Sequence, residues 1–111
     1  MQSQLGNYPK PINSYSLNEW FISERENPLI IDVREDSELK IASFPKEFLH
    51  LPISKVNLQY VEEKMHELQG KQIVVICHAG IRSNNFAQWL LDNKFLKEIW
   101  NLEEGIDGWS K

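Results

Sequence analysis

Cysteine is almost missing from this chain: Cys77 is the single one in 111 residues. One thiol cannot close an internal disulfide, and it cannot build a Cys-rich zinc site. Long apolar runs are missing as well. No stretch approaches the ~20 apolar residues needed to cross a bilayer, so no membrane partner is expected. Between Met1 and Pro11 there is no basic start followed by an apolar core, the pattern of a secretory signal peptide. With neither export signal nor disulfide, a cytoplasmic location is the default expectation. Positive charge is scarce: 12 Lys and Arg stand against 16 Asp and Glu, a net charge of −4. Such a chain has no general attraction for phosphate backbones, so no nucleic-acid partner is expected. A pocket can still be locally positive on an acidic protein. His50, His66 and His78 show no ligand spacing, so no metal is expected, and His50 and His66 read as surface residues. Repeats, low-complexity tracts and linkers are absent.

What is present suits an ordinary globular domain: 41% hydrophobic and 25% charged residues. A chain of this length buries roughly two-thirds of its unfolded surface, enough for a real core. Residues 1–13 read as an irregular arm and 14–111 as one domain. Ser16-Leu17-Asn18-Glu19 reads as a capping box opening a helix with Leu17, Trp20 and Phe21 on one face, ending before Pro28. Leu29 to Val33 and Gln72 to Cys77 are continuous β-branched runs, as in strands buried on both faces of a parallel sheet. Lys97 to Leu102 is a weaker third strand, and residues 39–44 a short edge piece. A helix from Asn57 to Gln69 places Leu58, Val61, Met65 and Leu68 at helical spacing, with Gly70 as its stop. Another runs from Ser83 to Asp92 with Phe86, Trp89 and Leu90 inward. This alternation predicts an α/β fold: a small, mostly parallel central sheet with helices on both faces, joined by right-handed crossovers.

The informative segment is Cys77-His78-Ala79-Gly80-Ile81-Arg82-Ser83, between the end of a buried strand and the start of a helix. Ligands of open α/β sheets bind at the carboxyl ends of strands. A tight turn there presents successive backbone N–H groups, and the helix adds its positive end. Gly80 permits a backbone conformation that a Cβ disfavours. Arg82 supplies a fixed cation with planar donors for oxyanions. A thiol in such a cradle becomes a thiolate more readily than a free one. A lone cysteine beside an apolar strand is commonly an inert small hydrophobe. An inert core cysteine needs neither the Gly nor the Arg that follow, so the segment favours a reactive sulfur beside an anion seat.

Cys77 to Ser83 resembles the active-site loop of the rhodanese (sulfurtransferase) family, Cys-x-x-Gly-x-Arg followed by Ser or Thr. Ile30-Ile31-Asp32-Val33-Arg34-Glu35 resembles the family's first strand with its Asp-x-Arg signature. Asn101-Leu102-Glu103-Glu104-Gly105-Ile106-Asp107-Gly108-Trp109 resembles its closing Asn-Leu-x-Gly-Gly-x-x-x-Trp. The resemblance covers residues 14 to 111, with two departures. Ile41 to Pro52 lacks the glycines of the family's Gly-His-Ile-Pro-Gly-Ala, and Glu104 replaces the first Gly of the closing pair.

The resemblance implies that Cys77 is the nucleophile. It would take the outer sulfur of a small anionic donor such as thiosulfate, become a persulfide, and pass the sulfur to cyanide, a thiol or a protein acceptor. Arg82 would neutralise charge, and His78, Ala79 and Ile81 would lend backbone N–H groups. Ser83 would be the N-cap or first turn of the helix. No metal or organic cofactor is needed. Asp32 has two open roles: supporting the loop through its backbone or an arginine, or serving as a buried structural carboxylate. Arg34 either pairs with an acidic residue near the loop or is solvated. His78 reads as a rim residue. Trp89 and Trp109 would hold the loop's helix and the closing segment.

Two other readings compete. A Cys-based phosphatase or arsenate reductase also seats an anion between Cys and Arg at a helix N-terminus. Here four residues separate Cys77 from Arg82, one fewer than in Cys-based tyrosine phosphatases, which makes a smaller cradle. The other reading is a persulfide relay or a non-catalytic partner-binding module. With no second cysteine, a Cys77 persulfide cannot be resolved internally, so an external acceptor is required.

Overall fold

In the computed structural model, residues 7–109 are described, apart from the Met65 side chain. The expected inward placement of Met65 and the first part of the expected arm, residues 1–6, lie outside that description. The order of elements is β1 (Lys10–Ile12), α1 (Ser14–Ile22), β2 (Leu29–Asp32), α2 (Asp36–Ile41), β3 (Leu49–His50), α3 (Leu58–Leu68), β4 (Ile73–Ile76), α4 (Ile81–Asp92) and β5 (Trp100–Leu102). Short 3-10 turns cover Ile53–Lys55 and Ile106–Gly108.

The strands form one sheet in the order β1-β5-β4-β2-β3, and every pairing among the described residues is parallel. The β2 and β4 runs are central for the reason their sequences suggest. Both faces are covered, so apolar residues repeat without alternation. Ile31, Val33, Ile73 and Val75 face one core with Val61 and Leu68 of α3 and Phe86 and Leu90 of α4. Ile30, Val74 and Ile76 face the other core with Leu17 and Trp20 of α1, closed by Phe21, Phe44 and Trp109. Cys77 continues the face of Ile73 and Val75 just past the end of β4.

Several expectations change. Residues 10–12 are not irregular arm but edge strand β1. Pro9 and Pro11 argue against a strand interior, yet an edge tolerates proline. Lys10 donates its N–H to Ile99 and Ile12 accepts from Glu103, so Pro11 lacks its N–H on the side away from β5. Helix α1 is capped by Asn13, whose side chain accepts from the Ser16 N–H at 2.7 Å, and not by a box at Ser16. Residues 39–44 hold the end of helix α2 instead of an edge strand. Leu39 and Ile41 suggest a period of two, but Ile41 is exposed, and a Glu35–Glu38 capping box starts the helix. The edge on this side of the sheet is β3, which starts five residues beyond that region. Leu58, expected inward, is exposed at the first position of α3, where Asn57 accepts from the Tyr60 N–H. Gly70 has φ +74, the left-handed conformation expected of a helix stop.

Candidate active site

The carboxyl end of β4 leads into the segment after Cys77, and the end of β5 and the turn beyond it lie against that segment. Gly80 has φ +95, and a Cβ there would run into the Glu103 carbonyl. Gly105 has φ +65, and its missing Cβ makes room for the carbonyls of Cys77 and His78. The closing turn can therefore lie directly against the loop. Ile106 N–H donates to the Cys77 carbonyl at 2.8 Å, and Asp107 N–H to the His78 carbonyl at 3.0 Å. Asn101 Nδ2 donates to the Gly80 carbonyl at 3.1 Å. With those carbonyls held outward, N–H groups of the loop turn inward.

They turn toward sulfur. Gly80 N–H lies 3.1 Å from Cys77 Sγ, Ser83 N–H 3.3 Å, and the Ser83 hydroxyl 3.3 Å. Burial pushes the thiol pKa up. Hydrogen bonds from the Ser83 hydroxyl and from the N–H groups of Ser83, Gly80 and Ala79 outweigh burial, so the net shift is downward. The thiolate gains these donors without a general base, consistent with His78 standing exposed on the rim.

Of the expected donors His78, Ala79 and Ile81, Ala79 is among those that lower the thiol pKa, and Gly80 and Ser83 supply further N–H groups. The left-handed Gly80 turns the chain so that N–H groups on both sides of the turn reach the sulfur, those of Ala79 and Gly80 and that of Ser83 in the first turn of α4. Ser83 lies in that first turn, while Gly80 occupies the N-cap position. The Ser83 hydroxyl also contacts Asn101 Oδ1. Asn101 Nδ2 is already committed to Gly80, so Oδ1 is the acceptor and competes with sulfur for one hydroxyl proton.

Arg82 is half-exposed and grips Glu38 of α2 as a fork, Nη1 to Oε1 at 2.8 Å and Nη2 to Oε2 at 2.7 Å. The pair holds the Glu38 carboxyl down to about 2 and raises Arg82. Arg82 also interacts with the charges of Cys77 and Glu35.

Asp32 does not reach the loop. It is fully buried, accepting from the Arg34 N–H at 3.0 Å and from its guanidinium at 2.9 to 3.2 Å. These contacts, a backbone donor and an arginine, fit both of its open roles, which do not exclude each other. Arg34 is buried, not solvated, and donates to the carbonyls of Ala42 at 2.7 Å and Glu38 at 3.5 Å, satisfying the last turn of α2. His50 is not a free surface residue: its Nε2 lies 2.7 Å from the Arg34 carbonyl. A chain of contacts thus runs from Asp32 through Arg34 and α2 to Glu38 and Arg82. Trp109 packs 4.9 Å from Phe44, and Trp89 stacks 6.1 Å from Phe86, anchoring the closing segment and α4.

Glu38 and Asn101 were missed as site residues. Asn101 opens the closing motif, a signal that was legible. Glu38 sits three residues after Glu35, which signals a capping box but not its distant partner Arg82.

Comparison with known proteins agrees with this geometry. A family model described as a rhodanese-like domain matches residues 17–111. The thiosulfate sulfurtransferase GlpE of Actinobacillus pleuropneumoniae is 28% identical over 92 residues, 83% of this chain and 80% of that protein. The tRNA uridine(34) hydroxylase of Oceanobacillus iheyensis is 30% identical over 108 residues, 91% of this chain but 30% of the hydroxylase. Among solved structures, a rhodanese-related protein from Thermoplasma volcanium superposes with a TM-score of 0.67 at 31% identity, covering 91% of this chain and 90% of the other. Fold, loop and family match agree: the chain belongs to the rhodanese-like domain family.

Proposed function

We propose that the protein is a sulfurtransferase that carries sulfane sulfur as a persulfide on Cys77. The observation that carries this reading is the convergence of Ser83 Oγ–H and the Gly80 and Ser83 N–H groups on one buried sulfur. In the first half-reaction the Cys77 thiolate attacks the outer sulfur of a donor such as thiosulfate. A new S–S bond forms, the donor S–S bond breaks, and sulfite leaves with the electron pair. The persulfide anion stays within reach of the loop donors, whose dipoles favour negative charge there. In the second half-reaction an external thiolate or cyanide takes the outer sulfur and Cys77 returns as a thiolate. Two half-reactions through a covalent intermediate give ping-pong kinetics. The chain's single thiol requires that the acceptor come from outside.

The test is intact-protein mass before and after incubation with excess thiosulfate, beside Cys77→Ser. The expected result is the gain of one sulfur atom in the wild type, its removal by cyanide, and no gain in the variant. No gain from thiosulfate or from an organic thiosulfonate would overturn the reading.

A further inference from the structure

Arg82 is the cation of the Cys77 loop, and a carboxylate of the same chain already occupies its fork. Both Nη groups of Arg82 are engaged by Glu38, one on each carboxylate oxygen. Glu35, three residues earlier, adds a second negative charge that acts on Arg82. Counting the Cys77 thiolate, three negative charges act on Arg82, and the other cation acting on Glu38, Arg34, is itself paired with the buried Asp32. The other flank offers no compensation: the recess beside Ala79, Gly80 and Ile81 is lined further by Asn84, Asn85 and Glu103, with no Lys or Arg among its described lining residues. A donor reaching Cys77 therefore meets hydrogen-bond donors at the sulfur but net negative charge around them. Electrostatic cost scales with donor charge.

We propose that Glu38, by holding Arg82, is a positioning residue that sets donor specificity, disfavouring doubly charged donors such as thiosulfate and favouring singly charged sulfane-sulfur anions. The inference rests on the sulfur-transfer reading. It also explains how the loop can keep a reactive thiolate without a strong anion seat: backbone and hydroxyl donors stabilise the sulfur locally, while Arg82 is shared.

Thiosulfate and methanethiosulfonate make a suitable probe pair, because both present a sulfane sulfur on a sulfonyl sulfur and differ by one charge. With methanethiosulfonate, the Cys77 thiolate forms an S–S bond to the terminal sulfur and methanesulfinate leaves with the electron pair. No proton moves and no further reactant is needed. The experiment measures the second-order rate of sulfur loading by mass for both donors, in the wild type and in Glu38→Gln. The amide oxygen can still accept the Glu35 N–H that Glu38 Oε1 accepts at 2.8 Å, so the helix cap survives.

Removing one negative charge should speed the dianion by the square of the factor for the monoanion. The expected gains are on the order of tenfold for thiosulfate and about threefold for methanethiosulfonate. The change in ratio should shrink in high salt, because the pair is half-exposed. Glu35→Gln should shift the ratio in the same direction by less. Equal changes for both donors, or slower loading by both, would overturn the proposal and leave Glu38 as an anchor for Arg82. Failure of both donors to load sulfur on the wild type would instead overturn the sulfur-transfer reading itself.

Discussion

The Cys77 loop and helix α2 follow neighbouring central strands at the carboxyl end of the sheet, yet they are held in opposite ways. The loop is held by backbone: the carbonyls of Cys77, His78 and Gly80 are taken by Ile106, Asp107 and Asn101. Helix α2 has no buried residue and is held by charge: Arg34 on its last carbonyls, its capping box, and Glu38 on Arg82. Backbone contacts that depend on Gly80 and Gly105 give a rigid cradle for sulfur. Charge contacts give a rim that substitution can retune without rebuilding the core. That difference separates what makes the thiol reactive from what selects its donor.

The largest effect should come from cutting the support of α2. Arg34→Ala leaves Asp32 charged and fully buried without its partner, at a cost of about 3–5 kcal/mol. Urea denaturation would show the loss, and hydrogen exchange on the folded fraction should show lost protection in α2 before the Cys77 loop. If both segments open together, the two are not independently held.

Gly105→Ala attacks the loop instead. Its positive φ and the approach of the Cys77 and His78 carbonyls leave no room for a Cβ. Strain of this kind costs about 1–3 kcal/mol, and the loop must also move. The variant should lose stability in thermal melts and lose the depressed Cys77 pKa, while the Arg34–Asp32 pair and α2 keep their hydrogen-exchange protection.

Ser83→Ala is the finest cut. It removes the hydroxyl on sulfur and leaves the backbone donors. The Cys77 pKa should rise, because the largest of the lowering contributions is lost. Alkylation at pH 6 should slow several-fold while alkylation at high pH approaches the wild type. Stability should change by about 1 kcal/mol. Asn101→Leu removes both Oδ1, which competes for the same proton, and the Nδ2 hold on the Gly80 carbonyl. In a double-mutant cycle with Ser83→Ala, the part of its effect on the pKa that runs through the hydroxyl should vanish without Ser83, and the part that runs through Gly80 should remain.

Wild-type loading should also follow the thiol's own titration. The Cys77 pKa is lowered, so thiolate persists below the pH at which a free cysteine is protonated, and the loading rate falls as pH drops through that lowered value. A pH–rate profile matching an unperturbed thiol would contradict the sulfur contacts.

Much of this arrangement was legible beforehand because it is local. The β2 and β4 runs, the Gly80 turn and the helix after Cys77 follow from apolar periodicity, glycine and spacing. Elements decided by distant partners were harder to read. Strand β1 exists because β5 offers an edge that tolerates Pro11. Helix α2 was misread because six residues show too little periodicity to separate a helix from a strand. That Gly80 and Ser83 are donors to the sulfur was not legible, because the φ of Gly80, invisible in sequence, decides which N–H groups face it.

By itself, the sequence determined that an α/β sheet would present a lone cysteine at a strand end, followed by a glycine turn and an arginine. Those features depend on residues within one or two turns of each other. Tertiary contacts alone bring Asn101 to the Ser83 proton, pair Asp32 with Arg34, and set Glu38 on Arg82. Each joins side chains from separate elements, and hydrogen-bond and charge geometry act over a few ångströms whatever the distance along the chain.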